Sequence, residues 1–424
     1  MKRLAFLIAG TAAALIVSAS PAYADNINSP HQKGSAAAGA TATTWGGISA
    51  CAGCHRAHTA QGAMLLKTDQ ESLCMTCHAG TGSTLDVDNG VSTVGGKALR
   101  GGGFTKSALN ADNPTAKYYF NAARNSVSLE EGVIPTLNVP AATTSSHGMG
   151  ATGAWGLGLS GGGAGTLASP LECGSCHDPH GNGNYRLLQT VPGGVTNATI
   201  AISSIVVATN VATVTTAANH WLGVGNTVTI AGAGAPYDGT WPVLATPLYN
   251  TFTFAVTTAN ATVTPAAATA KNAGQAILDA PSASARVYTT TDYWKVNDET
   301  TPTITVGTTT GVNSFIGSIA AWCTQCHTRY QTGRSQTYAN ASGDPVFMYR
   351  HRGNSVKNTN ITNGTAYPNQ VNSPNCIQCH VAHGSNATAV PNSLGVNFPG
   401  TTTVEDSALL RVSNRGVCQM CHNK

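Results

Sequence analysis

A chain of 424 residues with only 9% charged and 6% aromatic side chains, but 47 glycines, has little material for long helices or a large aliphatic core. Its formal net charge of +4, without a run of Lys and Arg, gives no phosphate-binding stripe and excludes a nucleic-acid partner. Something other than side chains is expected to fill the interior.

In chain order, residues 1–24 read as a signal peptide. Lys2 and Arg3 form the positive start, Leu4 to Val17 is apolar, and Ala22-Tyr23-Ala24 is an A-x-A cleavage site. The apolar stretch is short for a membrane span. An exported protein is expected, extracellular or on the cell surface, with the periplasm as the alternative.

Residues 25–190 are expected to form a scaffold carrying three motifs: "CAGCH" (Cys51, Cys54, His55), "CMTCH" (Cys74, Cys77, His78) and "CGSCH" (Cys173, Cys176, His177). Between them run Gly-rich loops such as "LRGGGFTKS" and "LGLSGGGAGTLASP". Residues 191–283 contain no cysteine. There "ATIAISSIVVATNVATVTT", "NTVTIAGAG", "GTWPVLAT" and "NTFTFAVTT" are β-branched runs bounded by turn residues, and predict four or five short strands. Residues 284–424 return to the scaffold with "CTQCH" (Cys323, Cys326, His327), "CIQCH" (Cys376, Cys379, His380) and "CQMCH" (Cys418, Cys421, His422). Helix is predicted only as a turn at each motif and over 401–412. The expected fold class is a mostly irregular multihaem c-type cytochrome with few short helices at the haem sites, plus a small all-β insert.

All 12 cysteines lie in C-x-x-C pairs followed directly by His. Export would allow disulfides, and paired C-x-x-C can hold zinc. Neither explains the six histidines. With 13 His in the chain, chance gives about 3% at one such position and on the order of one in a billion at six. Two thiols at this spacing reach the two vinyl carbons of one haem, and the next residue then sits beneath the iron. Six covalently attached haem c groups are expected, with His55, His78, His177, His327, His380 and His422 as proximal ligands.

Seven histidines lie outside the motifs: His31, His58, His147, His180, His220, His351 and His383. Bis-histidine ligation of six irons needs six of them. His58, His180 and His383 each follow a proximal His by three residues, in "CAGCHRAH", "CGSCHDPH" and "CIQCHVAH". On one helical turn such a pair emerges on one side of the backbone, so the second must serve a different iron. Two haems are thereby forced close together. His147 and His351, flanked by Gly and polar residues, read as ligands on loops. His31 and His220 compete for the sixth place. The methionines read as packing residues, because the histidines already suffice.

The run "TVTTAANHWLGVGNTVTIAGAGAPYDGTWPV" resembles small β-modules of bacterial and phage surface proteins, in which a His precedes the Gly turn. That resemblance assigns His220 to the module and leaves His31 as the preferred sixth ligand. A multihaem reductase would need an iron with an open position. No C-x-x-C-K motif is present, and electron transfer is expected rather than catalysis. A monomeric periplasmic or outer-membrane-associated shuttle is the other electron-transfer reading.

The motif series as a whole resembles the OmcS-type hexahaem cytochromes, exported by metal-reducing bacteria and polymerised into conducting extracellular filaments. Motif order, the HxxH pattern on motifs one, three and five, and the terminal sixth motif carry the resemblance. The β-insert and the longer N-terminal segment depart from it. The resemblance implies self-association head to tail, with His58 ligating the haem at Cys376 and Cys379 of the next subunit. It also implies an outer-membrane cytochrome conduit as electron donor and an extracellular acceptor such as a metal oxide.

Overall fold

The computed structural model describes residue 31, most of 50–108, 118–121, 126–129, 140–157, most of 164–275, 304–306, 309–311, 315–330, 376–387 and 408–410. The signal peptide, His351, and the sixth motif with Cys418, Cys421 and His422 lie outside the described residues.

Eight strands between residues 199 and 274 form one antiparallel sheet. They are β1 (Thr199–Ala208), β2 (Val211–Thr216), β3 (Thr227–Ala231), β4 (Gly239–Pro242), β5 (Ala245–Leu248), β6 (Thr251–Ala255), β7 (Ala261–Val263) and β8 (Thr269–Gly274). The order is β4-β3-β8-β1-β2-β6-β5, with β7 also paired to β1. Strand β1 joins two halves. Thr199 to Ala201 pair with β8, and Ile202 to Ala208 pair with β2 across a bulge between Ile202 and Ser204. The bulge changes the alternation, so Ile202 faces inward before it and Ile205 and Val207 face inward after it.

These strands enclose the largest apolar core. Ile205, Val214, Val228, Ile230, Val243, Phe252 and Phe254 are all fully buried, and Trp241 stacks on Phe254 at 4.9 Å between ring centres. His220 is 2% exposed at the edge of this core. Its Nδ1 accepts from the Leu222 backbone N–H at 2.9 Å, and its Nε2 donates to the carbonyls of Leu248 at 3.0 Å and Thr251 at 3.2 Å. Both ring nitrogens are therefore in use. The module leaves and rejoins the rest of the chain at one place, where the Gln275 N–H donates to the Thr190 carbonyl at 2.8 Å. The Gln325 side chain donates to the same carbonyl at 3.0 Å.

The remainder is built from short pieces. Helices α1 (Ala50–Cys54), α2 (Gln70–His78), α3 (Cys173–Cys176), α4 (Phe315–Cys323) and α5 (Cys376–Cys379) each carry cysteines of a C-x-x-C pair. Asp69 caps α2 by accepting from the Ser72 N–H at 2.8 Å. Two-residue pairings tie remote segments together, including Ser145–Ser146 with Gly384–Ser385 and Lys106–Ser107 with Ala141–Ala142. Residues 408–409 are not helical: Ala408 and Leu409 have φ of 50° and 62°. The predicted helix over 401–412 therefore does not run through them.

Burial pushes His220 down to about 4, against the smaller upward pull of its two carbonyl partners. The unfolded imidazole titrates near 6.5, so unfolding takes up a proton between these values. The module's stability from this group is full above about pH 6.5 and falls by about 3 kcal/mol as the pH drops toward 4. Thermal denaturation of the parent and of His220→Gln should show a steeper acid decline in the parent over that window.

Candidate haem centres

At four motifs the proximal His closes the helical turn that carries its cysteines. The N–H groups of His55, His177, His327 and His380 donate to the carbonyls of Cys51, Cys173, Cys323 and Cys376 at 2.8–3.0 Å. The chain then runs outward and returns. His55 bridges to Leu66, His177 to Leu188, and His380 to Leu410. Before each of these leucines stand two residues in the left-handed region: Met64 and Leu65, Arg186 and Leu187, Ala408 and Leu409, all with φ between 50° and 62°. Such a conformation costs about 1 kcal/mol or more per non-glycine residue and persists only where neighbouring bonds impose it.

The imposing bond is shared by all three turns. The carbonyl of the first left-handed residue accepts from the proximal imidazole: His55 Nδ1 with Met64 at 3.0 Å, His177 Nδ1 with Arg186 at 2.8 Å, and His380 Nδ1 with Ala408 at 2.8 Å. A second bond returns from the backbone: Arg56, Asp178 and Val381 N–H groups donate to the carbonyls of Leu65, Leu187 and Leu409 at 2.6–2.9 Å. His327 is anchored to the Trp155 carbonyl at 2.6 Å, His31 to Pro179 at 2.9 Å, and His147 to Ala382 at 2.6 Å. An imidazole fixed through Nδ1 presents Nε2 as its ligating atom, the usual arrangement of a metal-binding histidine.

Four pairs of these imidazoles face one another. Ring centres are 6.0 Å apart for His31 and His78, 6.1 Å for His55 and His180, 6.1 Å for His147 and His327, and 6.4 Å for His177 and His383. Two imidazoles on opposite sides of one metal, with metal–nitrogen bonds of about 2 Å, stand about 6 Å apart centre to centre. Each pair contains one proximal histidine and one from outside the motifs. The residues present therefore fit bis-histidine haem. His220, with both nitrogens engaged in the module, has no atom to offer. His58 is exposed, and His380 lies within electrostatic reach of His147 and His327; neither has a ring set opposite it at the spacing of these pairs among the described residues.

Burial favours the neutral form of five of the paired rings. Burial pushes His327 down to about 4, aided by nearby His147, and pushes His383 down to about 3, aided by His177 and Arg186. Burial likewise lowers His78, His147 and His177. A neutral imidazole keeps the lone pair that a metal needs.

The attachment helices contact one another in sequence order. Helix α2 packs on α3, where the Gly174 N–H donates to the Gln70 side chain and the Cys74 and Cys173 thiols lie within hydrogen-bonding reach of each other. Helix α4 packs on α5 with the Cys323 and Cys376 thiols within hydrogen-bonding reach. The Cys54 thiol lies within electrostatic reach of Cys77, and Cys176 of Cys326. None of the ten described cysteines is in a disulfide. Burial pushes Cys176 up to about 12 and Cys326 up to about 11, so both are neutral thiols until thioether bonds form.

Sequence reasoning missed the left-handed turn. Its signal is a Leu-Leu pair, in "AMLLK", "YRLLQ" and "SALLR", one for each HxxH motif. It also missed Phe104, stacked on His383 at 4.7 Å, and Gly101, where an added Cβ would meet His383 Nδ1 at 3.2 Å. Gly101→Ala should push His383 out of line, and electron paramagnetic resonance should then show one haem leaving the low-spin state while the others stay.

A protein-family profile described as "Doubled CXXCH motif" matches residues 46–83, which span the first two motifs. Comparison with curated proteins and with solved structures finds no match. The doubled motif indicates a multihaem c-type cytochrome, a protein with covalently bound haem c and an electron-transfer role.

Proposed function

We propose that this protein conducts electrons along six closely packed bis-histidine haems. It is exported and polymerises head to tail into an extracellular filament. An outer-membrane cytochrome conduit supplies electrons to the filament, which delivers them to an acceptor such as a metal oxide. Haem c supplies one-electron chemistry that needs no proton. The chain's own residues attach each haem through two cysteines, fix six of the described imidazoles through Nδ1 and bury pairs such as His147 and His327.

One observation carries the filament reading. His180 of motif three faces His55 of motif one, and His383 of motif five faces His177 of motif three. The next step in this series is a histidine of motif one facing the proximal His380 of motif five. Among the described residues, His58 and His380 are the two ends of the series: His58 is exposed, and neither has an imidazole ring set opposite it. A second copy would join His58 to His380, and an interface of this head-to-tail kind that does not close grows into a filament.

The surface around His58 supports the same contact. Met64 is 83% and Leu65 is 55% exposed, whereas Arg186, Leu187, Ala408 and Leu409 in the corresponding turns are half-buried. The first turn thus presents the apolar surface that the other two cover. Desolvating Met64 and Leu65 against a neighbour contributes about 1–2 kcal/mol each, and an iron–histidine bond would fix the register.

His58→Ala should leave one haem per chain without its second histidine and abolish filaments. Absorption spectra and electron cryo-microscopy of material sheared from cells check both outcomes. Intact low-spin filaments from the variant would overturn the assignment. Monomers of the parent with six low-spin haems would identify a periplasmic shuttle instead.

A further inference from the structure

We propose that Arg186 raises the reduction potential of the haem attached at Cys173 and Cys176, by holding a fixed positive charge beside both of its imidazole ligands. The inference rests on reading His177 and His383 as those ligands.

The three left-handed turns are the same device with different side chains. The residue whose carbonyl anchors the proximal imidazole is Met64 in the first, Arg186 in the second and Ala408 in the third. Only one of them is charged. Its backbone is locked to His177 by the 2.8 Å bond. Its side chain extends toward the other ligand: a Cβ built on Gly101 would lie 3.2 Å from His383 Nδ1 and 3.9 Å from Arg186 Nη1, which puts the two nitrogens within about 7 Å. The guanidinium carbon also sits 5.2 Å from the Tyr185 ring centre, a position that holds the cation in place. Among the described residues no carboxylate pairs with it.

A guanidinium stays charged at any accessible pH. Ferric iron with two neutral imidazoles carries one more positive charge than ferrous iron. An electron arriving from a neighbouring haem removes that charge, with no bond made or broken and no proton taken up. A cation less than a Debye length away disfavours the oxidised form and so favours accepting the electron. The same field is felt by the imidazoles. After burial, Arg186 is among the groups that hold both His177 and His383 below the usual histidine range. At the first motif Lys67 acts on the Cys54 thiol, and Arg56 donates to the Ala52 carbonyl.

The test is a potentiometric titration of the full-length haem-loaded protein, followed by visible absorption. Arg186→Met installs the residue that the first turn carries, Arg186→Ala the residue of the third, and Arg186→Lys keeps the charge. In the Met and Ala variants one of the midpoints should move to more negative potential while the rest stay. The Lys variant should keep the parent's set. Unchanged midpoints in a Met or Ala variant with full haem content and low-spin spectra would overturn the inference and leave the proposed function standing. A His383→Ala variant in which every haem stays low-spin would instead overturn the ligand reading beneath it.

Discussion

An imidazole has two nitrogens, and fixing one decides what the other can do. Six of the described histidines hand Nδ1 to a backbone carbonyl, three of those carbonyls lying in a strained turn close to the motif's own leucine pair. The other three carbonyls are remote, 148, 235 and 172 residues away in sequence for His31, His147 and His327. Each bond therefore sets a ring orientation and the path of a distant stretch of main chain at once. Because the acceptor is backbone, side chains around it can vary from Met to Arg to Ala without changing the turn.

The C-x-x-C-H motifs are legible because their spacing is a covalent requirement, independent of tertiary structure. The alternation of Val211 to Thr216 and Thr227 to Ala231 was legible for a similar reason, since period two is imposed by the strand itself. The assignment of partners was not legible. Nothing local in "CGSCHDPH" says that His180 meets His55 rather than His78, because the choice depends on how α2 and α3 cross. The turn at Ala408 was hidden by distance. Its leucine follows His380 by thirty residues, whereas Leu66 and Leu188 follow their histidines by eleven, so a fixed-spacing search would find two of the three. The resemblance to small β-modules set His220 aside, and the geometry supplies the physical reason, since both its nitrogens are in use.

Two kinds of cohesion coexist in one chain. The module of β1 to β8 holds itself together as ordinary sheet proteins do, with Phe252 and Phe254 fully buried among β-branched side chains. The described scaffold has no comparable core, and an apolar cluster there centres on Leu188 and Ile319. There, single bonds close very long loops, and closing such a loop costs entropy that one weak contact cannot offset. Covalent thioethers and metal–imidazole bonds can, in the way that disulfides stabilise small secreted domains. The low aromatic and charged content of the chain follows from this division, because prosthetic groups do the work that large side chains do elsewhere.

The bond between Thr190 and Gln275 brings the two ends of the sheet module to a single point. Topologically the module is a cassette with adjacent termini, spliced into a hairpin of the scaffold between the third and fourth attachment sites. Such a junction tolerates exchange: another domain with neighbouring ends could be seated there without redirecting the main chain on either side. The module can thus diversify, or be exchanged for a chosen binding domain, on a separate schedule from the scaffold that carries the C-x-x-C-H motifs.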